Sequence, residues 1–477
     1  MEHKKLYLNG KWTDLANHFT VRDPGNGEAI AEVPSAGVTE TRQALENAQA
    51  AFPKWRSMTA MARGDRLLAM ASHLLEHREE IARIVTRENG KPISQSRGEV
   101  NVAADHFRWF AEEARRAYGR VIPNQAQGKR HLVVRTPIGV VVAISPWNFP
   151  LVLAARKAAP ALAAGCPVIL RPATQTPLSA LVLAECAEAS GLEPGVFQVI
   201  AGPAEPIAGE LFANPICSKI TFTGSTEVGK RLLAASAQNV TKLSLELGGH
   251  APVLVFADAD IDLAVESAII TKFRNTGQSC IAANRIYVER PVYEAFVEKF
   301  VEKTRALKVG YGLAEGIDIG PLVNKAGLET AIRHIDEAKK GGARVLCGGK
   351  QANIEGGFYL EPTVLADVDG RALCMHEETF APMAPIAVFD SEQEVIREAN
   401  NTRYGLAAYA FTRDIGRAWR LAENLEAGTI GINDAVPSTS NAPFGGVKES
   451  GLGRELGAEG LDAFLETKHI SFGAVEP

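Results

Sequence analysis

The spacing of hydrophobic residues changes from a helical to a strand-like period near residue 120. Two segments, Arg63–Glu79 and Val100–Ala117, place apolar residues three and four positions apart, which predicts amphipathic helices. The short β-branched runs at Val133–Val134 and Gly139–Ile144 predict strands. A helical first part is therefore expected, and a sheet begins after it.

Strand-like and helix-like segments then alternate along the chain. Strands are predicted at Pro167–Leu170, Val196–Ile200, Lys219–Thr223, Ala251–Phe256, Arg285–Glu289 and Ala343–Leu346, and helices at Ser179–Ala189, Pro206–Phe212, Val228–Ala235, Ile261–Phe273, Tyr293–Leu307 and Leu328–Lys340. Such alternation is typical of βαβ units and of a mostly parallel sheet covered on both faces. The glycine pair Gly248–Gly249 interrupts the pattern, so two α/β units are predicted.

The C-terminal segment Glu466–Gly473 alternates polar and apolar residues and predicts an edge strand. Because no strand is predicted next to it in sequence, we expect it to pair with a distant region or with another subunit.

Composition narrows the class of protein. The chain has 477 residues, of which 46% are hydrophobic and 22% charged, and at about 150 residues per domain it predicts roughly three units. The net charge of -5 argues against a nucleic-acid binder. The N-terminus is polar and every apolar run is too short to span a bilayer, so we expect a cytoplasmic protein without a membrane segment.

Six cysteines are scattered along the sequence, with no CxxC pair and no Cys/His spacing of a zinc site. No metal site is predicted, and so few cysteines in a long chain favour a reducing compartment.

Three residues are candidates for chemistry on their local context. Cys280 lies in a polar loop between a helix and a strand, where it is either a nucleophile or a small buried apolar residue. Glu246 ends an apolar strand before two glycines and is either a general base or a salt-bridged carboxylate. Asn148, between two prolines, either donates to an oxyanion or caps the following helix.

Two further segments suit ligands. Thr223–Lys230 forms a glycine-containing strand-to-helix turn that is either a pyrophosphate site or an ordinary turn. Ala442–Arg454 is rich in glycine and is either a pocket wall carrying Phe444 or a mobile surface loop.

Two arginines are candidates for binding an anion. Arg156 and Arg274 either bind an anionic group or are solvated surface residues.

In order along the chain, the motifs SPWNFP, FTGSTEVG, LELGGHAP, GQSC, HEETFAP and PFGGVKESGLGRE resemble those of the aldehyde dehydrogenase superfamily. The resemblance implies an α/β fold with a Rossmann-like cofactor domain, an α/β catalytic domain and a small β flap for oligomerisation. The implied boundaries are 1–120 with 137–248 for the cofactor domain, 249–435 for the catalytic domain, 121–136 with 460–477 for the flap, and 436–459 for a returning loop segment. A homodimer or homotetramer is expected.

The sequence resembles the succinate-semialdehyde dehydrogenase branch of that superfamily. Arg156, Arg274 and Ser438 match its substrate anchors, with Phe444 beside them, and imply a short anionic semialdehyde, first of all succinate semialdehyde. Glutarate semialdehyde, sulfolactaldehyde and phosphonoacetaldehyde are the alternatives. A CoA-acylating enzyme, a cysteine hydrolase and a catalytically idle binding or structural protein on the same scaffold are less favoured.

The resemblance also implies residue roles. Cys280 is the nucleophile, Asn148 and the Cys280 backbone amide hold the oxyanion, and Glu246 activates water. The cofactor residues implied are Ser145, Pro146, Trp147, Arg171, Thr174, Ser179, Gly224, Ser225, Gly229, Leu247, Glu378 and Phe380.

Three positions depart from the family pattern. Thr174 replaces the glutamate that binds both ribose hydroxyls of NAD, so we expect NADP, or both cofactors, with Arg171 and Ser179 near the 2′-phosphate. Ala282 replaces a second cysteine of the branch, so the redox switch of that pair is expected to be absent. Ala381 replaces a glycine near the nicotinamide ribose.

Overall fold

The computed structural model describes residues 1–474, and its strands form five sheets. The strands are β1 (Glu2–His3), β2 (Leu6–Leu8), β3 (Lys11–Thr13), β4 (His18–Arg22), β5 (Ala29–Pro34), β6 (Arg120–Ile122), β7 (Arg130–Pro137), β8 (Val140–Ser145), β9 (Val168–Pro172), β10 (Phe197–Val199), β11 (Cys217–Thr223), β12 (Lys242–Glu246), β13 (Ala251–Val255), β14 (Ala283–Glu289), β15 (Arg344–Cys347), β16 (Thr363–Ala366), β17 (Met383–Phe389), β18 (Ala407–Phe411), β19 (Thr429–Ile432), β20 (Gly451–Leu452) and β21 (Leu465–Phe472). The α-helices are α1 (Val38–Ser57), α2 (Ala60–Glu76), α3 (Arg78–Asn89), α4 (Ile93–Glu113), α5 (Pro150–Ala164), α6 (Leu178–Ala189), α7 (Ala204–Ala213), α8 (Thr226–Ser236), α9 (Ile261–Phe273), α10 (Tyr293–Ala306), α11 (Lys325–Lys340), α12 (Glu392–Asn400), α13 (Ile415–Asn424) and α14 (Gly457–Asp462).

The helical N-terminal part forms as predicted, with one boundary corrected. Thr59 caps α2, since its hydroxyl accepts a hydrogen bond from Ala62 N at 3.2 Å. The pattern Arg63–Glu79 predicted a single helix, but α2 ends at Glu76 and α3 begins at Arg78. The break lies at His77, whose φ of -102° and ψ of 19° leave the helical region.

The first large sheet has the order β10-β9-β8-β11-β12-β20, and all its pairs except β12–β20 are parallel. The chain enters at β8, adds β9 and β10 on one side, and then returns to add β11 and β12 on the other. The order therefore reverses between β8 and β11, where the carboxyl ends of parallel strands open a crevice for ligands. Helix α5 follows β8 and is buried along its whole length, packed against α4.

The second large sheet has the order β15-β16-β17-β14-β13-β18-β19, parallel except for the β15–β16 pair. Residues 247–250 carry the chain from β12 in the first sheet to β13 in the second. The glycine pair predicted to divide two α/β units lies in this crossing.

The C-terminal strand pairs with a distant strand, as predicted. β21 runs antiparallel to β7 from Leu465 opposite Pro137 to Phe472 opposite Arg130, and β6 pairs with the other side of β7. This three-stranded sheet leaves β21 at its edge. The domain boundaries themselves stay a prediction, as does the flap beyond residue 474, since 475–477 lie outside the described residues.

None of the helices described is both long enough and apolar enough to cross a membrane.

Candidate active site

A cavity of about 200 Å³ opens at the crevice between β8 and β11. It is lined by Pro146, Trp147, Asn148, Thr223, Gly224, Ser225, Leu247, Gly248, Cys280, Glu378 and Phe380. Most of the residues predicted for the nucleophile, the oxyanion and the cofactor are thus brought together here. The cavity draws on loops that follow strands of the first sheet and on loops that precede strands of the second.

Two aromatic side chains from different sheets face each other in this lining. The ring centroids of Trp147, after β8, and Phe380, before β17, lie 5.5 Å apart in an edge-on arrangement. Phe380 has a φ of 53°, in the left-handed region that a bulky residue seldom adopts. Strained backbone of this kind persists where the surroundings fix it, often at ligand sites.

Cys280 is half-buried at the floor of the cavity. Burial raises the pKa of its thiol to about 12, the Glu378 carboxylate adds to this rise, and the charge of Arg156 opposes it. The other five cysteines are also free thiols, but none of them lines this cavity.

The loop between the two sheets passes directly over Cys280. A Cβ on Gly249 would lie 2.1 Å from the Cys280 carbonyl oxygen, so only glycine fits this position. The backbone N–H of Gly249 donates to Glu378 Oε1 at 3.1 Å. Burial raises the pKa of Glu378 to about 8, and this hydrogen bond opposes the rise.

Glu246 ends β12 and is 4% exposed. Burial raises the pKa of Glu246 well above its ordinary value, the Glu455 carboxylate raises it further, and the charges of Lys157 and Arg156 oppose the rise. One carboxylate oxygen, Oε2, has no hydrogen-bond partner among the described residues. The alternative of a salt-bridged strand end is therefore not what the structure shows, and Glu246 is placed as a buried acid with a free oxygen.

The glycine-rich segment Ala442–Arg454 returns to this carboxylate. A Cβ on Gly445 would lie 2.7 Å from Glu246 Oε1, so the loop backbone is pressed against the acid. Glu455, the residue directly after this segment, forms a buried ion pair with Lys157 of α5. In the structure this segment therefore packs against the site as a wall.

The backbone of Asn148 is held from three directions. Its carbonyl oxygen accepts from Lys91 Nζ at 2.8 Å and from Asn275 Nδ2 at 2.7 Å, and Asn89 Nδ2 lies at 3.3 Å. Its own side-chain Nδ2 donates to the Gln278 carbonyl at 3.1 Å, two residues before Cys280. The side chain does not cap α5, whose N-cap residue is Phe149.

Helix α5 is capped by a residue from another helix. Glu99 of α4 accepts from Leu151 N at 3.0 Å and Val152 N at 3.1 Å, and its other oxygen pairs with Lys91 Nζ at 2.5 Å. The sequence analysis missed Lys91 and Glu99, as well as Lys157 and Glu455. Long-range partners leave no local motif: Glu99 and Lys157 are charges inside helices, and Lys91 and Glu455 lie between elements.

The two predicted anion-binding arginines both reach the site. Arg156 on α5 is 8% exposed, with its guanidinium carbon 4.7 Å from the Phe444 ring centroid. The guanidinium carbon of Arg274 lies 5.3 Å from the Phe149 ring centroid. The charges of both arginines lower the pKa of Cys280. The alternative of solvated surface residues is therefore wrong for Arg156. Ser438, the third predicted anchor, is half-buried in the returning loop six residues before Phe444.

The predicted cofactor residues fit a dinucleotide at the crevice. Ser145 at the end of β8 and Thr223 at the end of β11 each have a buried hydroxyl with no partner among the described residues. Ser225 is the N-cap of α8, whose first turn offers free N–H groups for phosphate. Gly229 packs under Leu247, where a Cβ would lie 2.5 Å from the leucine Cδ2, so its role is packing of α8.

Arg171 lies on the neighbouring strand β9, and Thr174 follows two residues after that strand ends. Arg171 is half-buried and its Nη2 donates to the Gly202 carbonyl at 2.9 Å. Thr174 and Gly202 both line a second cavity of about 590 Å³.

Ser179 is a correction to the sequence analysis. It was expected to contact a 2′-phosphate, but its side chain is completely buried and its hydroxyl donates to Glu88 of α3. The same carboxylate accepts from Leu178 N at 2.7 Å and Ser179 N at 2.9 Å, which caps α6. The hydroxyl is occupied by a structural contact and does not face either cavity.

A cysteine hydrolase would need a histidine base. His250, which follows the glycine pair, does not pair with Cys280. It is 2% exposed, both ring nitrogens have no partner among the described residues, and burial and the charge of Arg285 hold its pKa well below the ordinary value. Two surface groups with metal-ligand side chains occur elsewhere in the described chain, one at His3, Asp14 and His18 and one at His73, Glu76 and His77, and no residue of either lines the cavity of Cys280.

Residues 12–470 match the family model described as aldehyde dehydrogenase family. The glutarate-semialdehyde dehydrogenase of Pseudomonas aeruginosa is 47% identical over 99% of this chain and 98% of that protein. The succinate-semialdehyde dehydrogenase [NADP(+)] of Escherichia coli is 47% identical over 98% of both. The 3-sulfolactaldehyde dehydrogenase of Pseudomonas putida is 45% identical over 99% and 98%. In three dimensions the chain superposes on the crystal structure of succinate-semialdehyde dehydrogenase from Burkholderia pseudomallei with a TM-score of 0.97 and 46% identity over 98% of each chain.

Proposed function

The chain belongs to the aldehyde dehydrogenase family, and from this premise we propose that it oxidises a short anionic semialdehyde, first of all succinate semialdehyde, with NADP as the preferred cofactor. Relatives named for succinate semialdehyde, glutarate semialdehyde and 3-sulfolactaldehyde all act on aldehydes that carry a negative charge. Their names support the class of substrate more strongly than any single member of it.

The observation that carries this proposal is a pair of uncommitted positive charges beside the nucleophile. The buried ion pairs of the site are Lys91–Glu99 and Lys157–Glu455, and among the described residues neither Arg156 nor Arg274 forms one. A buried guanidinium without a carboxylate is costly. The carboxylate of a semialdehyde supplies the missing partner, and arginine holds such a group through two parallel hydrogen bonds.

The reaction begins at Cys280. Its thiol loses a proton to solvent, and the thiolate attacks the aldehyde carbon. The oxyanion that forms accepts hydrogen bonds from the Cys280 backbone N–H and the Asn148 side-chain amide. Because the backbone of Asn148 is held by Lys91 and Asn275, its amide is positioned before substrate arrives.

The ends of β8 and β11 and the N-terminus of α8 would hold the dinucleotide. Its nicotinamide supplies the acceptor for the hydride that leaves the thiohemiacetal. Cys280 is then acylated as a thioester. Glu246 takes a proton from water, which attacks the thioester carbonyl and releases the acid. A CoA-acylating enzyme does not need that base, so the buried Glu246 favours hydrolysis.

The choice of NADP rests on position 174. A carboxylate there would repel a 2′-phosphate, whereas Thr174 does not, and Arg171 on the same strand end supplies positive charge. The Escherichia coli relative is named for NADP(+), which supports the same choice.

We also propose a cytoplasmic homodimer or homotetramer. All six cysteines are free thiols, which suits a reducing compartment. The flap sheet leaves β21 at its edge, and Phe472 on that strand is 46% exposed. An open edge with an exposed apolar side chain is typical of a surface that a second subunit covers.

A kinetic panel tests the proposed function. We expect kcat/KM for succinate semialdehyde, glutarate semialdehyde and 3-sulfolactaldehyde to exceed that for propanal. We also expect kcat/KM with NADP to exceed kcat/KM with NAD. Arg156→Ala and Arg274→Ala should each raise KM for the anionic aldehydes by tenfold or more, about the scale of one lost charged hydrogen bond, and leave KM for propanal unchanged. A preference for propanal, or equal losses on both classes, would assign the arginines a structural role and remove the proposal.

A further inference from the structure

Helix α4 presents a buried histidine to the returning loop, next to the anion subsite. His106 is 1% exposed, and its Nδ1 lies 2.9 Å from Ser440 Oγ. The hydroxyl of Ser440 in turn hydrogen-bonds to the carboxylate of Asp105, the preceding residue of the helix. Asp105 is exposed, and an ionised carboxylate only accepts hydrogen bonds.

These contacts determine which nitrogen of His106 carries the proton. Ser440 has a single hydroxyl proton, and it is donated to Asp105. The serine oxygen must therefore accept from His106, which places the imidazole proton on Nδ1. Burial holds the pKa of His106 well below its ordinary value and the charge of Arg156 lowers it further, so the ring is neutral. Nε2 is left with a lone pair and no proton.

The remaining atoms of this region are complementary. His106 Nε2 is a buried acceptor without a partner, and Arg156 Nε is a buried donor without a partner. Both side chains lie beside the returning loop: His106 contacts Ser440, and Arg156 lies over the ring of Phe444. Helix α4, which carries His106, also packs along α5, which carries Arg156.

We propose that His106 is a positioning residue for Arg156 and thereby determines the preference for anionic aldehydes. When the anionic tail binds, Nε2 of His106 accepts a hydrogen bond from Nε of Arg156. This bond fixes the plane of the guanidinium and leaves its two terminal nitrogens for the two oxygens of the tail. The inference rests on the proposed function, because it assigns His106 a role only if Arg156 holds an anion.

The role predicts an effect on KM for one class of substrate. His106→Phe removes the acceptor and His106→Gln keeps a side-chain oxygen that can accept. We expect His106→Phe to raise KM for succinate semialdehyde about tenfold, the scale of one hydrogen bond to a charged group, with kcat and the propanal kinetics unchanged. His106→Gln should recover most of the affinity. Ser440→Ala, which removes the group that fixes the tautomer, should raise KM in the same selective way.

A double-mutant cycle with Arg156→Ala decides between positioning and general support. If His106 acts through Arg156, His106→Phe has no further effect on KM in the Arg156→Ala background. Equal losses on succinate semialdehyde and propanal, or the same loss in both backgrounds, would overturn the inference and reduce His106 to support of the loop. Should His106→Phe fail to fold, the cycle is run with Ser440→Ala. A wild-type enzyme without preference for succinate semialdehyde over propanal would instead overturn the proposed function.

Discussion

Cys280 is half-buried and Glu246 is buried, and burial disfavours the charged form of each. The raised pKa values therefore disfavour two adjacent negative charges in this site. Cys280 loses its proton in the first step, and Glu246 is needed as a base only after acylation. The two residues thus act one after the other, and burial raises the pKa of both.

The raised pKa of Cys280 has a direct consequence for its reactivity in the protein without cofactor. Only the thiolate is alkylated, and with a pKa of about 12 its fraction grows tenfold for each pH unit across the whole range up to pH 10. We therefore expect the rate of iodoacetamide labelling at Cys280, measured by peptide mass spectrometry, to rise steadily from pH 7 to pH 10.

Cys280→Ala is the control that assigns this labelling, because the five remaining cysteines are free thiols as well. A rate that levels off near pH 8 would show a much lower pKa and would contradict the electrostatic description of the empty site.

At the scale of elements, α5 connects most of the site. The residues just before it supply Trp147 and Asn148, and its own face supplies Arg156 and Lys157. The helix has no side-chain cap of its own, and Glu99 of α4 satisfies its first N–H groups while pairing with Lys91. The position of Asn148, the proposed oxyanion donor, therefore depends on a buried ion pair between two other segments.

Removing Glu99 should affect both stability and catalysis. Glu99→Ala leaves the fully buried Lys91 without its partner and α5 without its cap, and we expect a loss of about 3–5 kcal/mol in the free energy of unfolding. The folded fraction should show a lower kcat with little change in KM, because Asn148 is displaced. Urea denaturation and steady-state kinetics measure the two effects.

Glu315→Gln is the matched control, since it breaks the exposed 2.7 Å pair with Arg97 of α4. It should change neither the urea midpoint nor kcat, since exposed ion pairs contribute little. A Glu99→Ala protein as stable and active as this control would show that the ion pair does not position Asn148.

How far the sequence predicts the structure differs between elements and partners. The periodicity of α9 and α10 and the β-branched runs of β8 and β13 fixed their type and place to within a residue or two. Partners distant in sequence were not predictable. Glu99, which caps α5, and Glu88, which caps α6, each lie in another helix and leave no local motif. Ser179 is an example, because this serine was predicted to contact the cofactor and is instead the buried partner of Glu88.

At the scale of the whole molecule, two sheets meet at one crossing and the cavity lies where they meet. The first sheet brings Asn148 and the dinucleotide crevice, and the second brings Cys280 and Glu378. The returning loop then closes over Glu246 and carries Phe444 to Arg156. Neither sheet alone holds a complete site, and Gly249 of the crossing between them packs closely against Cys280.

The account depends on a covalent acyl group at Cys280 that Glu246 helps to remove. The most direct measurement is intact-protein and peptide mass spectrometry of Glu246→Gln, mixed with NADP and succinate semialdehyde and quenched in acid. We expect a burst of NADPH together with the added mass of one succinyl group on the Cys280 peptide, and neither in Cys280→Ala. Turnover by the wild-type enzyme without any acyl group trapped at Cys280 in the Glu246→Gln protein would contradict the account.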